Sequence, residues 1–171
     1  MPHLDAAYNL ARWLSRSNPD AEDIVQEAML RAYRFFGGYR GDTARAWLLA
    51  IVRNTCFTWM KDRRDSISSV PLEEDTDGAG EAALDAGSND ANPEVLLARL
   101  EDTRLLDGAL ENLPIEYREV LVLRELEDLS YREIAQIANI PIGTVMSRLS
   151  RARKLLSKRL AASGKELGYG L

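Results

Sequence analysis

The chain has 171 residues, enough for one domain or two small ones, and its hydrophobic content of 46% is that of an ordinary folded protein. It has one cysteine, Cys56, and one histidine, His3, which excludes an internal disulfide and leaves too few soft ligands for a zinc site. No apolar run approaches the ~20 residues that span a bilayer, and no signal segment opens the chain, so we expect a cytoplasmic protein without membrane insertion.

The net charge of −5 is unevenly distributed along the chain. Residues 66–92 carry seven acidic and no basic side chains, whereas residues 1–65 carry ten basic and eight acidic ones. Between Arg148 and Lys165 there are seven basic residues and no acidic one. A negative total charge is therefore compatible with a locally basic surface near the C-terminus.

Apolar residues at helical spacing predict three helices in the first part of the chain, over residues 4–16, 20–36 and 44–61. We expect Ser15 to Pro19 to separate the first two helices, and Gly37-Gly38 to end the second. Asp42 or Thr43 is the expected cap of the third helix, in which Cys56 should be a small buried residue. Three helices of this length can close a small core.

Residues 66–92 differ in kind, because they are rich in Gly, Ala, Asp and Glu and contain no aromatic residue. This composition predicts a flexible acidic linker. Helical patterns return over 93–111 and again after the Leu113-Pro114 break, to about residue 126. The second part, residues 93–171, is thus expected to be another small helical domain.

The stretch Leu129–Leu160 has the layout of a helix-turn-helix. Ser130 and Glu133 form a capping box, and Asn139 with Pro141 marks the turn. In the second helix, from about residue 142 to 160, one stripe is apolar: Val145, Leu149, Ala152 and Leu156. The polar and basic face carries the candidate DNA contacts: Thr144, Ser147, Arg148, Arg151 and Lys154. A solvated amphipathic helix is the alternative, but the cap, the turn and the one-signed charge together favour DNA binding.

Two further segments complete a recognisable order. Residues 20–36 read DAEDIVQEAMLRAYRFF, and residues 39–64 read YRGDTARAWLLAIVRNTCFTWMKDRR. Residues 113–156 read LPIEYREVLVLRELEDLSYREIAQIANIPIGTVMSRLSRARKLL. With these three segments in this order, the chain resembles the small extracytoplasmic-function sigma factors of the sigma-70 family. The resemblance implies an all-α protein with sigma region 2 in 1–65, a linker in 66–92 and sigma region 4 in 93–171.

The resemblance also implies functional residues. The polar face that would dock on the β′ clamp helices of core RNA polymerase comprises Asp23, Gln26, Glu27 and Arg31. The residues that would melt and read the promoter −10 element are Tyr39, Arg40, Asp42, Arg53, Asn54, Thr58, Lys61, Arg63 and Arg64. The recognition helix would read the −35 element. For Glu27 and Arg31, an ordinary i,i+4 ion pair on a solvated helix face is an open alternative. For Trp47 and Trp59, core packing is favoured over base stacking.

By the same resemblance, the partners are core RNA polymerase (β′ clamp helices and β flap), promoter DNA and an anti-sigma factor, with no cofactor, metal or small-molecule substrate. Met146 stands where many family members carry a basic residue. A stand-alone helix-turn-helix regulator is the alternative function, and an enzyme is disfavoured because Cys56 is packed and no glycine-rich phosphate loop is present. The long polar linker predicts domains that move independently in the free protein.

Overall fold

The computed structural model describes residues 3–40, 43–67 and 93–162, and its regular elements are all helical in those ranges. The α-helices are α1 (Leu4–Ser15), α2 (Asn18–Phe35), α3 (Ala44–Ile67), α4 (Pro93–Glu111), α5 (Ile115–Leu121), α6 (Tyr131–Ala138) and α7 (Ile142–Ala162). A 3-10 turn, Phe36–Gly38, follows α2, and a π-helical segment, Val122–Leu126, follows α5. The predicted all-α fold is confirmed, whereas the π-helical segment had no sequence signal.

Two predicted helix boundaries were wrong. The second helix begins at Asn18 rather than Asp20, because the Ser17 side chain accepts a hydrogen bond from the Asp20 N–H at 3.4 Å and caps it. Pro19 is tolerated in that first turn, where a missing N–H costs nothing. The third helix continues past residue 61 to Ile67, into the predicted linker. The rest of that linker, residues 68–92, lies outside the described residues.

The first three helices pack around a shared apolar centre. Its fully buried side chains include Leu10, Leu14, Ile24, Leu49 and Val52. Cys56 is buried among them, as predicted. Thr43 occupies the cap position of α3, since its carbonyl accepts from the Trp47 N–H at 3.2 Å.

The helices of the second half pack around α7. The buried residues there include Val120, Leu123, Ile134, Ile137, Val145 and Leu149. The C-terminal part of α4 joins this core through Leu110, while the side chains of its first turns are exposed. Three members of the predicted α7 stripe are buried, and Leu156 is half-buried.

The two halves are packed against each other in a single continuous hydrophobic core. The contacts run from α1 to α5 and from α3 to α6. This closed arrangement differs from the two independently placed domains that the long linker led us to expect. The difference arises because the sequence pattern does not show which residues of one half pair with the buried charged groups of the other half, described below. Within the described ranges, no helix combines the length and apolar character needed to cross a bilayer.

Candidate nucleic-acid interface

The helix-turn-helix is built by local hydrogen bonds. Ser130 accepts from the Glu133 N–H at 3.1 Å, and the Glu133 carboxylate accepts from the Ser130 N–H at 2.9 Å, so the predicted capping box is confirmed. Asn139 ends α6 in the left-handed conformation, with φ 54° and ψ 50°. The Pro141 carbonyl then accepts the N–H groups of Thr144 and Val145 at 3.0 and 3.1 Å, which starts α7. The turn is therefore tight and well defined.

The outer face of α7 carries the predicted −35 contacts. Ser147, Arg151 and Lys154 are exposed, whereas Thr144 and Arg148 are partly buried. Met146 is 51% exposed on the same helix. Because Val145, Leu149 and Ala152 anchor the opposite stripe, the cationic side chains project from a fixed scaffold. Such a helix can meet phosphates and base edges in the major groove.

An aromatic cluster supports the loop before α3. The Tyr39 ring centroid lies 5.1 Å from that of Trp47 and 6.4 Å from that of Phe36. Trp47 is half-buried in this cluster, which agrees with the core-packing interpretation while leaving part of the ring accessible. Arg40 is exposed beside it, and Asp42 lies outside the described residues. The loop thus presents aromatic and cationic groups together.

A cleft of about 430 Å³ opens between this loop and α6. From the first half it is lined by Arg40, Thr43, Ala46, Trp47 and Ala50, and from α6 by Arg132, Glu133 and Gln136. The predicted base-enclosing loop, which contains Arg40, therefore faces α6 of the helix-turn-helix across this cleft.

The remaining −10 candidates follow α3 towards its C-terminus. Asn54, Thr58, Lys61, Arg63 and Arg64 are exposed. The Thr58 hydroxyl donates to the Asn54 carbonyl at 3.0 Å, and Arg63 pairs with Asp20 of α2. This stretch offers a row of polar and basic side chains for a nucleic-acid backbone.

Arg53 is the exception in this set. Its guanidinium lies 4.3 Å from the Phe57 ring centroid and donates through Nε to the Glu119 carboxylate of α5. The Glu119 side chain is only 1% exposed. Burial raises the pKa of Glu119. The hydrogen bond and charge of Arg53 and the positive charge of Arg148 act in the opposite direction and lower that pKa. A basic residue predicted to contact DNA is thus engaged by an acidic residue of the other half.

Sequence reasoning missed the groups that hold the two halves together. Glu127, also nearly buried, accepts from Arg45 Nη2 at 2.7 Å and from Asn9 Nδ2 at 3.4 Å. Arg118 Nη2 donates to the Leu14 carbonyl at 3.3 Å, and burial lowers the pKa of Arg118. The sequence offered one indication that these groups are buried, which is the position of Arg118 and Glu119 next to apolar Val120 and Leu121. Periodicity shows that such residues face inward, but it does not show their partners.

The predicted polymerase-binding residues form an exposed strip on α2. Asp23 and Gln26 are exposed, and Arg31 Nε lies 3.1 Å from Glu27 Oε1, so the expected i,i+4 ion pair is present. Leu30 and Tyr33 are exposed farther along the same helix, with Tyr33 at 86%. These apolar residues were not singled out from the sequence, because single exposed apolar residues are common.

Comparison with known proteins agrees with this architecture. The family model for Sigma-70 region 2 matches residues 1–66, and the model for Sigma-70, region 4 matches residues 103–156. The chain is 38% identical to the ECF RNA polymerase sigma factor SigE of Mycolicibacterium smegmatis over 96% of its own length, but spans only 61% of that relative. It is 37% identical to the ECF RNA polymerase sigma-E factor of Escherichia coli K12, covering 90% of this chain and 81% of that one.

A solved structure shows the same fold. It is the co-crystal structure of the sigma factor RpoE in complex with the anti-sigma factor NepR from Bartonella quintana, with a TM-score of 0.74 and 29% identity. The match covers 94% of this chain and 92% of that chain. The two family matches together cover more than half of this chain, with region 2 before region 4. The chain belongs to the sigma-70 family, as one of its extracytoplasmic-function sigma factors.

Proposed function

We propose that this chain is an alternative sigma factor that binds core RNA polymerase and directs initiation at promoters with defined −35 and −10 elements. The observation that carries the proposal is the order of matches on one chain, with region 2 before a capped helix-turn-helix of region 4. It acts by binding rather than by catalysis, and its place of action is the cytoplasm, with the polymerase.

The division of labour follows the domains. The first domain, residues 1–65, binds the polymerase and the −10 element. The linker, residues 66–92, connects it to the second domain, residues 93–171, which reads the −35 element. In α7, Arg148 and Arg151 supply base-edge or phosphate contacts, supported by Thr144, Ser147 and Lys154; a bidentate arginine–guanine pair contributes ~1–3 kcal/mol of discrimination. The exposed strip of Asp23, Gln26, Glu27 and Arg31 on α2 contacts the β′ clamp helices, and region 4 meets the β flap.

In the −10 contact, the strand is melted and held by the face that begins at Tyr39. The exposed Asn54, Thr58, Lys61, Arg63 and Arg64 follow the separated strand, while Tyr39, Arg40 and Asp42 enclose a flipped base. Arg53 joins this set once it leaves Glu119. The likeness to a sigma factor crystallised with an anti-sigma factor supports control of this chain by a protein of that class.

Run-off transcription with core polymerase on a promoter library tests the function directly. We expect transcripts only when the chain is added, from templates that share one −35 and one −10 sequence. A stand-alone regulator would instead bind one duplex sequence tightly without polymerase. Tight specific binding by the isolated chain, together with no polymerase-dependent transcripts, would contradict the proposal.

A further inference from the structure

Two exposed apolar side chains lie together at the start of α7. Ile142 is 42% exposed and Met146 is 51% exposed, and they are the large apolar residues that α7 leaves in solvent within Ile142–Ala162. Residues four apart are neighbours on one helix face, so the two side chains form one apolar surface. This surface belongs to the first turns of the recognition helix, which are the part that meets base edges when such a helix enters the major groove.

The start of α7 carries no charged side chain that a phosphate could meet. Residues 142–147 read IGTVMS, and the first basic residue, Arg148, is partly buried. Arg153 lies two turns after Met146 on the same side of the helix. Its Nε and Nη2 both donate to Glu125 Oε1, at 3.2 and 2.8 Å. A contact made at the start of α7 is therefore made by apolar and hydroxyl groups rather than by a cation.

Thymine is the base that such an apolar surface can recognise. In the major groove all four bases present hydrogen-bonding groups, and thymine also presents its C5-methyl group. The thioether of Met146 has no hydrogen-bond donor and is only a weak acceptor, so it cannot distinguish the bases by their hydrogen-bonding groups. Methionine is, however, flexible and polarizable, and it packs readily against an apolar group of irregular position.

We propose that Met146 reads a thymine of the −35 element by packing on its C5-methyl group, with Ile142 beside it enclosing the contact. The inference rests on the proposed function and deepens it, because it names the base that the uncharged start of α7 selects. Arg151 and Lys154, exposed farther along α7, hold phosphates or other base edges. Apolar burial thus adds sequence selectivity where the positive charge adds affinity.

Deoxyuridine isolates the methyl group, because it differs from thymidine only by lacking it. In a promoter selected by run-off transcription, each thymine of the −35 element, on either strand, is replaced by deoxyuridine in turn. Fluorescence anisotropy measures binding of the holoenzyme at one fixed salt concentration. We expect one replacement to weaken binding about fourfold, which corresponds to the loss of one buried methyl group, and the others to change it by less than about twofold.

Met146→Ala shows whether this side chain makes the contact. In that variant the thymine and deoxyuridine templates should bind equally, and both should bind about as weakly as the deoxyuridine template binds the unaltered holoenzyme. Leu126→Ala is the matched control, since Leu126 is 52% exposed in region 4 but lies outside α7. It should retain the full preference for thymine. Circular dichroism of the free chains confirms that both variants keep their helical content.

A thymine preference retained by Met146→Ala would overturn the proposal. A −35 element in which no thymine responds to the loss of its methyl group would also overturn it. If Met146→Ala binds core polymerase more weakly while its thymine preference is unchanged, the apolar surface is a protein contact and the proposal fails.

Run-off transcription on the same preparations keeps this proposal separate from the proposed function. Promoter-dependent transcripts without any thymine preference contradict the methyl contact alone. If the isolated chain binds a selected duplex and yields no transcripts, the proposed function fails. The same deoxyuridine series on that duplex then decides the methyl contact, which stands only if Met146→Ala abolishes a preference for thymine.

Discussion

Ser130 and Glu133 cap the first helix of the helix-turn-helix reciprocally, with side chain-to-backbone hydrogen bonds of 3.1 and 2.9 Å. Each side chain accepts from the other residue's N–H, which satisfies two donors that α6 would otherwise leave exposed. The pair fixes where α6 begins, and through the short turn it fixes where α7 is presented to DNA.

Replacing the cap should weaken region 4. Ser130→Ala removes the acceptor for the Glu133 N–H, and we expect a loss of ~1 kcal/mol in the free energy of unfolding. Urea denaturation followed by circular dichroism measures it. Ser150→Ala, at an exposed position within α7, is the control and should change stability by less than ~0.5 kcal/mol. Equal losses in the two variants would show that the cap contributes nothing.

Arg118 should be a major stabilising residue, because it links the end of α4 to α5 and also reaches across to the first half. Its guanidinium donates to the carbonyls of Glu111 and Leu113 at 2.9 Å each, and to that of Leu14 at 3.3 Å. Arg118→Met leaves these acceptors without their donor, so we expect a loss of ~3 kcal/mol. Arg118→Lys should fail to restore it, since an ammonium lacks the planar fork.

The same denaturation measurement on Arg34→Met, an exposed arginine of α2, supplies the baseline for losing a guanidinium. That variant should differ from the unaltered chain by no more than ~0.5 kcal/mol. A loss below ~1 kcal/mol for Arg118→Met would mean that water replaces its hydrogen bonds.

Cys56 should be unreactive in the folded chain and should make stability fall at high pH. Burial, followed by the negative charge of Glu119, raises the pKa of Cys56 from 9.0 to about 12. Because the folded pKa is the higher one, this stabilisation is complete below pH 9 and is lost as the pH rises from 9 towards 12. The difference in unfolding free energy between the unaltered chain and Cys56→Ala should therefore shrink over that window.

Thiol titration gives an independent check at pH 8. We expect no rapid reaction of Cys56 with a disulfide reagent in buffer, and one equivalent in urea. Rapid modification of the folded chain would show that α3 opens locally around this residue.

Alanine substitutions at Leu149 and Met146 should distinguish the buried face of α7 from its exposed face. Leu149 is 1% exposed, so Leu149→Ala should cost ~2–5 kcal/mol, whereas Met146→Ala, at an exposed position, should cost less than ~0.5 kcal/mol. Thermal unfolding measures both. Similar costs would contradict the assignment of the buried and outward faces of α7.

Arg151 and Arg153 should differ in promoter binding by the holoenzyme. Arg151 is exposed on the outer face, so Arg151→Ala should weaken binding and lower the slope of log affinity against log salt by ~1 if it contacts a phosphate. Arg153 is paired with Glu125, and Arg153→Ala should leave that slope nearly unchanged. Fluorescence anisotropy over a salt series tests this, and identical slopes for the two variants would remove Arg151 from the contact set.

Local sequence signals determined much of this protein. The capping box at Ser130, the left-handed Asn139 and the apolar stripe of α7 from Val145 to Leu156 were all predicted, because each depends on groups within a few residues of one another. The burial of Cys56 followed from helical periodicity for the same reason. The family resemblance rested on the order of these local patterns, and the family comparisons confirmed it.

Only the tertiary structure decided how the two halves meet. The sequence predicted Arg53 as a DNA contact and Glu119 only as part of a helix. In the fold, Arg53 donates a hydrogen bond to Glu119, which lies 66 positions farther along the chain. The long acidic linker predicted independent domains because linker composition reports only chain stiffness and length. Whether two surfaces fit depends on the buried charges and apolar side chains that each presents, and those are set by packing between distant segments.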